Sequence, residues 1–200
     1  MVYPSLGKEF KIIDKQKALK SIKKFGIDKK FVLLHGRIIK DKRPDLAIKA
    51  FAKTNSLQLV ISGTLEEEKA IRDLIKELNI EKKVKIIGRV SKEELVALYN
   101  LSSCFLMSSP KEDFGLTPIE AMACGCPVVA WGDGAGPSET VINDINGYLV
   151  EPYDLEEFSS NITKLCNKKL NRAQISKSVK RFSQEVMKKQ FLGIIEKIIN

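Results

Sequence analysis

Short apolar runs alternate with amphipathic stretches along the chain up to Pro152. The apolar runs predict six strands, at residues 31–34, 57–61, 84–87, 104–107, 128–131 and 148–150. The stretches between them carry apolar residues three and four positions apart, which predicts helices at residues 44–53, 66–78, 92–100, 118–123 and 138–142. Because each parallel connection must cross over the sheet, this alternation predicts an α/β fold with helices on both faces of a parallel sheet.

After Pro152 the pattern indicates helices only, at residues 155–165, 172–180 and 183–199. The last of these places five apolar side chains on one side: Phe191, Ile194, Ile195, Ile198 and Ile199. Such a stripe needs a surface to pack against. Two alternatives stay open, since the stripe can pack on the core of this domain or cover a second domain.

Ligands of parallel α/β sheets bind at the carboxyl ends of the strands. We therefore expect functional residues in the loops that follow strands, at residues 36–37, 62–63, 88–89, 108–115 and 132–136.

Composition is typical of a folded protein, because 44% of the 200 residues are hydrophobic and 30% are charged. No apolar run approaches the roughly 20 residues of a spanning helix, and the first residues lack the apolar core of a signal peptide. These features predict a cytoplasmic protein, with association at the inner membrane surface as an alternative. The net charge of +9 suits nucleic acid, anionic lipid or a phosphorylated ligand. Aromatic residues make up 7% of the chain and are not interleaved with basic ones, so we do not expect nucleic acid as a partner.

Four cysteines, Cys104, Cys124, Cys126 and Cys166, match no zinc-binding spacing, and His35 is the one histidine. We expect the cysteines to be reduced, buried and small hydrophobic residues. His35 is interpreted as a packing residue at the end of a strand.

The segment 108–130, which follows a predicted strand and leads into a predicted helix, is the most informative part of the sequence. Thr117, Pro118 and Glu120 fit a capping box, with Thr117 as N-cap and Pro118 at the first helical position. This gives Glu120 a structural explanation. The Phe-Gly-Leu sequence at 114–116 would place free backbone N–H groups at the positive end of a helix, where phosphate binds well.

Glu112 and Glu120 are separated by seven residues in this segment, which resembles the E-x7-E signature of the large retaining glycosyltransferase family 4. The resemblance extends over nearly the whole chain. Matching segments are Val2-Tyr3-Pro4 with the linker into the second domain, Gly36-Arg37 with Lys42, residues 146–150 with Pro152, and Arg181-Phe182-Ser183 at the start of the last helix.

This resemblance implies a Rossmann-like domain over residues 1–200, one half of a two-domain GT-B glycosyltransferase, which binds a nucleotide-diphosphate sugar and supports retaining transfer. It implies catalytic roles for three residues: Glu112, Arg37 and Lys42. Donor contacts are implied for these three and for six more: Arg89, Phe114, Gly115, Leu116, Thr117 and Glu120. In the family the residues matching Arg37 and Lys42 bind the diphosphate, so no metal and no cofactor are expected.

Residues 132–139 fail a comparison with the G-x-G-x-x-G dinucleotide fingerprint, because the third glycine comes one residue too early. They better resemble a glycine-rich loop of the family, in a longer form, so the role of Glu139 stays open between a sugar contact and a helix-dipole contact. Residues 136–141 resemble the loop of several mannosyltransferases, which favours GDP-mannose over UDP-sugars.

The remaining expectations also follow from the resemblance. They are an N-terminal acceptor half that this chain lacks, without which it is inactive, and a glycan or lipid-linked acceptor. The alternative is a non-catalytic nucleotide-sugar-binding or regulatory module.

Overall fold

The computed structural model describes residues 5–55, 58–168 and 170–199. The expected linker match at Val2-Tyr3-Pro4 and the predicted strand residue Leu57 lie outside the described residues, as do the side chains of Ile198 and Ile199.

In the described residues, six parallel strands form one sheet in the order β3-β2-β1-β4-β5-β6. Their bounds are β1 Phe31–Ile38, β2 Gln58–Leu65, β3 Val84–Gly88, β4 Phe105–Met107, β5 Val128–Trp131 and β6 Gly147–Val150. The predicted parallel α/β fold is therefore confirmed. The strand order reverses between β1 and β4, which creates a crevice at the carboxyl ends of these two strands.

β1 and β2 are longer than the apolar pattern predicts. They run side by side to their last residues, with Gly36 beside Gly63 and Arg37 beside Thr64. Residues 36–37 and 62–63 thus belong to strands, as does Gly88 at the end of β3, and their prediction as loops was wrong. Gly63 has φ of +114°, and a Cβ there would lie 1.9 Å from the Gly36 carbonyl oxygen, so only glycine fits.

Nine helices are found in the described residues: α1 Lys15–Ile22, α2 Pro44–Ala52, α3 Glu68–Glu77, α4 Lys92–Leu101, α5 Leu116–Ala123, α6 Gly136–Thr140, α7 Leu155–Asn167, α8 Arg172–Ser178 and α9 Gln184–Ile199. The apolar pattern did not predict α1. Asp14 caps this helix by accepting a hydrogen bond from the Lys17 N–H. The helix buries only Ala18 and Ile22, four residues apart, so its apolar pattern is weak.

The sheet separates two hydrophobic cores. Side chains of α1, α4, α5 and α8 pack on one face with Phe31 and Leu33, whereas α2, α3 and α7 pack on the other with Val32 and Leu34. Helices therefore cover both faces, as predicted. All four cysteines are free and buried, as expected. No helix in the described part of the chain combines the length and the apolar character needed to span a membrane.

α9 leaves most of its described apolar stripe uncovered. Met187 is buried, but Phe191, Leu192 and Ile194 are 53%, 47% and 41% exposed. Of the described members of the predicted stripe, Phe191 and Ile194 are about half exposed and Ile195 is half-buried, so both alternatives for the stripe stay open.

Candidate functional site

A cavity of about 440 Å³ opens at the crevice between β1 and β4. Its wall is formed by the end of β1, by the segment after β4 and by the loop that leads into α5. The cavity thus lies where the strand order reverses, the expected ligand position for an open parallel sheet.

Two cations reach this cavity. Arg37 at the end of β1 is exposed and lines the cavity wall, and no ion pair of Arg37 is found in the described part of the chain. Lys42 stands in the 3₁₀ turn Lys40–Lys42, and its Nζ lies 2.6 Å from Glu112 Oε2. Positive charge therefore meets the cavity from the β1 side.

The amino terminus of α5 closes the opposite wall, with Gly115, Leu116 and Thr117 among the lining residues. Gly115 is the N-cap in a left-handed conformation, with φ of +73°, and no side chain caps the helix. The first N–H groups of a helix have no partner within it, so here they remain available to a ligand.

The predicted capping box was wrong. The left-handed turn at Gly115 starts the helix at Leu116, which places Thr117 and Pro118 inside the first turn rather than at its N-cap. Glu120 consequently has no capping role.

Phe114 and the loop around it are held by the glycine-rich loop that follows β5. The Gly136 N–H donates to the Glu112 carbonyl at 2.8 Å, and the Lys111 N–H donates to Asp133 Oδ2 at 2.6 Å. A Cβ at Gly136 would lie 2.5 Å from Phe114 Cα. The glycine-rich loop therefore supports the cavity wall, whereas Glu139 does not line it.

Glu120 lies in α5 outside the cavity wall, half-buried beside Tyr99. Burial raises the pKa of its carboxyl to about 7, while Lys92 acts in the opposite direction. Arg89 also lies outside this wall, and its Nε donates to Thr64 Oγ1 at 3.1 Å. The structure thus brings together seven of the nine predicted site residues around the cavity, and Glu120 and Arg89 are the other two.

His35 both packs and lines the cavity. Its ring contacts Tyr99 edge-on at 6.2 Å between centroids, and its Nδ1 lies 2.9 Å from Ser62 Oγ. Burial lowers the pKa of His35 to about 4, so the ring is neutral near pH 7.

Ser108, Ser109 and Asp113 also line the cavity. They were not predicted by name, but the position of residues 108–115 after a strand indicated them. No group of three potential metal ligands occurs among residues 5–55, 58–168 and 170–199.

The family model described as glycosyl transferases group 1 matches residues 15–182. D-inositol 3-phosphate glycosyltransferase of Mycolicibacterium smegmatis is 32% identical over 151 residues, covering 72% of this chain and 35% of that protein. Mannosylfructose-phosphate synthase of Agrobacterium fabrum is 28% identical over 190 residues, covering 86% of this chain and 42% of that protein. The chain therefore spans less than half the length of these relatives.

Among solved structures, Anabaena Alr3699/HepE in complex with UDP superposes with a TM-score of 0.86 at 23% identity, covering 98% of this chain and 57% of that one. A glycosyltransferase of Rickettsia africae superposes with a TM-score of 0.85 at 22% identity, covering 100% of this chain and 57% of that one. These likenesses identify the fold as one Rossmann-like half of a GT-B glycosyltransferase. With the match over residues 15–182, they establish that the chain belongs to the family of glycosyl transferases group 1.

Proposed function

We propose that residues 1–200 form the donor-binding domain of a retaining, metal-independent hexosyltransferase that uses a nucleotide-diphosphate sugar. One observation carries the proposal: Arg37, Lys42 and the uncapped amino terminus of α5 converge on a single cavity at the switch point of the sheet. Family membership supports the reaction class.

Sugar transfer from such a donor requires stabilisation of the negative charge that grows on the leaving diphosphate. Arg37, a helix amino terminus and Lys42, once the ligand displaces Glu112 from it, supply positive charge without a metal ion. In this proposal Arg37 and Lys42 hold the diphosphate, and the backbone N–H groups of residues 115–117 donate to its oxygens.

In this proposal the two glutamates bind different parts of the donor. Glu112 lies in the cavity wall and faces the transferred sugar, whereas Glu120 accepts hydrogen bonds from the ribose hydroxyls beside the cavity. A carboxylate suits both positions, because it only accepts hydrogen bonds and can receive two vicinal hydroxyls. Arg89 would then contact the nucleoside from the end of β3.

The proposed donor is GDP-mannose, with UDP-sugars as second candidates. Mannosyltransferases occur among the relatives, including Alpha-1,3/1,6-mannosyltransferase ALG2 of Mus musculus, which supports mannose. The structural neighbour Alr3699/HepE was solved with UDP-glucose, which supports the second candidates. The proposed acceptor is a glycan or lipid-linked sugar bound by an N-terminal half.

Calorimetric titration with GDP-mannose, UDP-glucose, GDP, UDP and the two nucleosides tests this proposal. We expect GDP or UDP to bind more tightly than the corresponding nucleoside. Arg37→Met and Lys42→Met should each remove most of this difference in affinity. Lys40→Met is the matched control, because Lys40 stands in the same turn but does not line the cavity. Equal affinity for diphosphate and nucleoside would exclude the diphosphate role. Diphosphate binding without activity, once an N-terminal half is joined, would favour a regulatory module.

A further inference from the structure

Tyr99 is a fully buried side chain of α4 that the predicted site did not include. Three rings surround it, with centroids at 6.3 Å for Phe10, 6.2 Å for His35 and 5.6 Å for Phe105. His35 is itself part of the cavity wall. Contacts on these sides fix the ring, so the direction of its hydroxyl group is set by packing.

The hydroxyl group of Tyr99 has no hydrogen-bond partner in the described part of the chain. A buried polar group without a partner is rare and costs free energy, so it demands an explanation. Glu120 supplies a candidate acceptor. Its carboxylate interacts with the phenol and raises the pKa of Tyr99, after the larger effect of burial. The contact nevertheless falls short of an ordinary hydrogen bond, since the Tyr99 hydroxyl meets no partner within hydrogen-bond geometry in the described residues.

Few other groups compete for the Glu120 carboxylate. Lys92 attracts it from the start of α4, but the Lys92 ammonium already lies 2.7 Å from Glu9 Oε1 in the segment before α1. Glu9 repels the Glu120 carboxylate, and Cys124, in the same helical region, carries a thiol whose pKa is raised by burial. Among these neighbours in the described residues, the Cys124 thiol and the Tyr99 phenol are the neutral donors, and the phenol is the stronger of the two.

We propose that Tyr99 is a positioning residue for Glu120, and that its hydroxyl group donates a hydrogen bond to the carboxylate when a nucleotide occupies the site. The inference rests on the proposed ribose contact of Glu120. An ionised carboxylate that receives ribose hydroxyls on one side has lone pairs left on the other, and the fixed phenol stands there. The hydrogen bond then holds the carboxylate in the orientation that the ribose needs.

Tyr99→Phe tests this inference, with binding of a UDP- or GDP-sugar measured by calorimetry between pH 5.5 and pH 8. We expect about tenfold weaker binding at pH 8, the usual effect of losing a hydrogen bond to a charged group. In the parent protein the phenol favours the ionised carboxylate. The midpoint of the increase in affinity with pH should therefore lie at a higher pH in Tyr99→Phe than in the parent. The unliganded variant should unfold at the same or a higher temperature than the parent, because it no longer buries a hydroxyl group that lacks a partner.

Tyr148→Phe is the matched control. The Tyr148 hydroxyl donates to Asp144 Oδ1 at 2.6 Å, outside the cavity, so this variant should lose stability and keep its affinity. In a Glu120→Gln background we expect Tyr99→Phe to cost much less affinity, because the charged acceptor is gone.

The outcomes separate the two proposals. If Glu120→Gln binds the nucleotide sugar as the parent does, the ribose role of Glu120 fails and the positioning role fails with it. If Glu120→Gln weakens binding but Tyr99→Phe does not, only the positioning role is overturned. A full Tyr99→Phe effect in the Glu120→Gln background, or a variant that does not fold, would also overturn it.

Discussion

Lys42 Nζ lies 2.6 Å from Glu112 Oε2, which joins the turn after β1 to the loop before α5. Both side chains are partly exposed and both line the cavity. In the absence of ligand each charge neutralises the other. A bound diphosphate must compete with Glu112 for Lys42, so this pair couples the sugar side of the site to its phosphate side.

Glu112→Gln should therefore strengthen binding of the nucleoside diphosphate and weaken recognition of the attached sugar. We expect a gain of about 0.5 kcal/mol for the diphosphate, the size of a partly exposed ion pair. The ratio of affinities for nucleotide sugar and nucleoside diphosphate should fall. Paired calorimetric titrations measure both quantities.

Glu156→Gln is the control for this variant, because it breaks the exposed pair with Lys53 away from the cavity. It should alter neither affinity. A Glu112→Gln protein with an unchanged affinity ratio would show that Glu112 serves only to hold Lys42.

The raised pKa of Glu120, about 7, predicts pH-dependent donor binding. Ribose hydroxyl groups donate to the ionised carboxylate, so affinity should rise as the pH increases from 6 to 8. A nucleotide sugar is the right probe, since its bridged diphosphate carries no group that titrates in this range. Glu120→Gln should remove the pH dependence and bind at the weaker, acidic level, and a slope that survives this substitution would point to another group.

Stability should show the opposite dependence. A carboxyl group whose folded pKa lies above its ordinary value of 4.5 binds protons more tightly in the folded state. The free energy of unfolding should therefore fall as the pH rises from about 4.5 through about 7. Glu120→Gln should flatten this fall and be more stable than the parent by about 1 to 2 kcal/mol at pH 8. Urea denaturation at pH 5 and pH 8 measures the difference.

The sequence pattern identified all six strands, because buried parallel strands are continuous apolar runs. It missed the ends of β1 and β2, where Gly36, Arg37, Gly63 and Thr64 pair without any apolar signal. α1 was missed because it is eight residues long and buries little. The prediction of helices and strands depends mainly on the length and spacing of apolar residues. It therefore misses short elements and the polar ends of longer ones.

Within the site, the residues that share a motif were predicted together, and the structure places most of them around one cavity. The capping box failed because the left-handed conformation of Gly115 is a backbone property that the motif does not encode. Tyr99 was not predicted because an unpartnered hydroxyl group is visible only after packing is known.

Gly136→Ala tests whether the glycine-rich loop supports the cavity wall. Its added Cβ would lie 2.5 Å from Phe114 Cα, so the loop at 112–115 must move. We expect a loss of about 1 to 3 kcal/mol in stability, as for other overpacked positions, together with weaker nucleotide binding. Gly193→Ala is the control, because a Cβ there meets nothing within 4 Å, and alanine should stabilise α9. Unchanged binding by a folded Gly136→Ala protein would remove the loop from the site.

The exposed face of α9 should make the 200-residue chain self-associate. Phe191 and Ile194 stand three residues apart on one side of α9 and are 53% and 41% exposed, and apolar side chains paired in this way favour contact with another surface. Light scattering over a concentration series should show a rising average mass for the parent. Phe191→Ser combined with Ile194→Ser should remain monomeric, with unchanged nucleotide affinity, because α9 does not line the cavity.

Ile142→Ser is the matched control for this surface, since Ile142 is 47% exposed but lies outside α9. It should associate as the parent does. A monomeric parent at the highest concentration, with slow amide exchange through residues 190–195, would mean that α9 is stable as it stands and needs no partner. Association that is lost only when an N-terminal half is joined to the chain would identify that half as the surface that α9 covers, because the same apolar side chains would then be buried within one molecule.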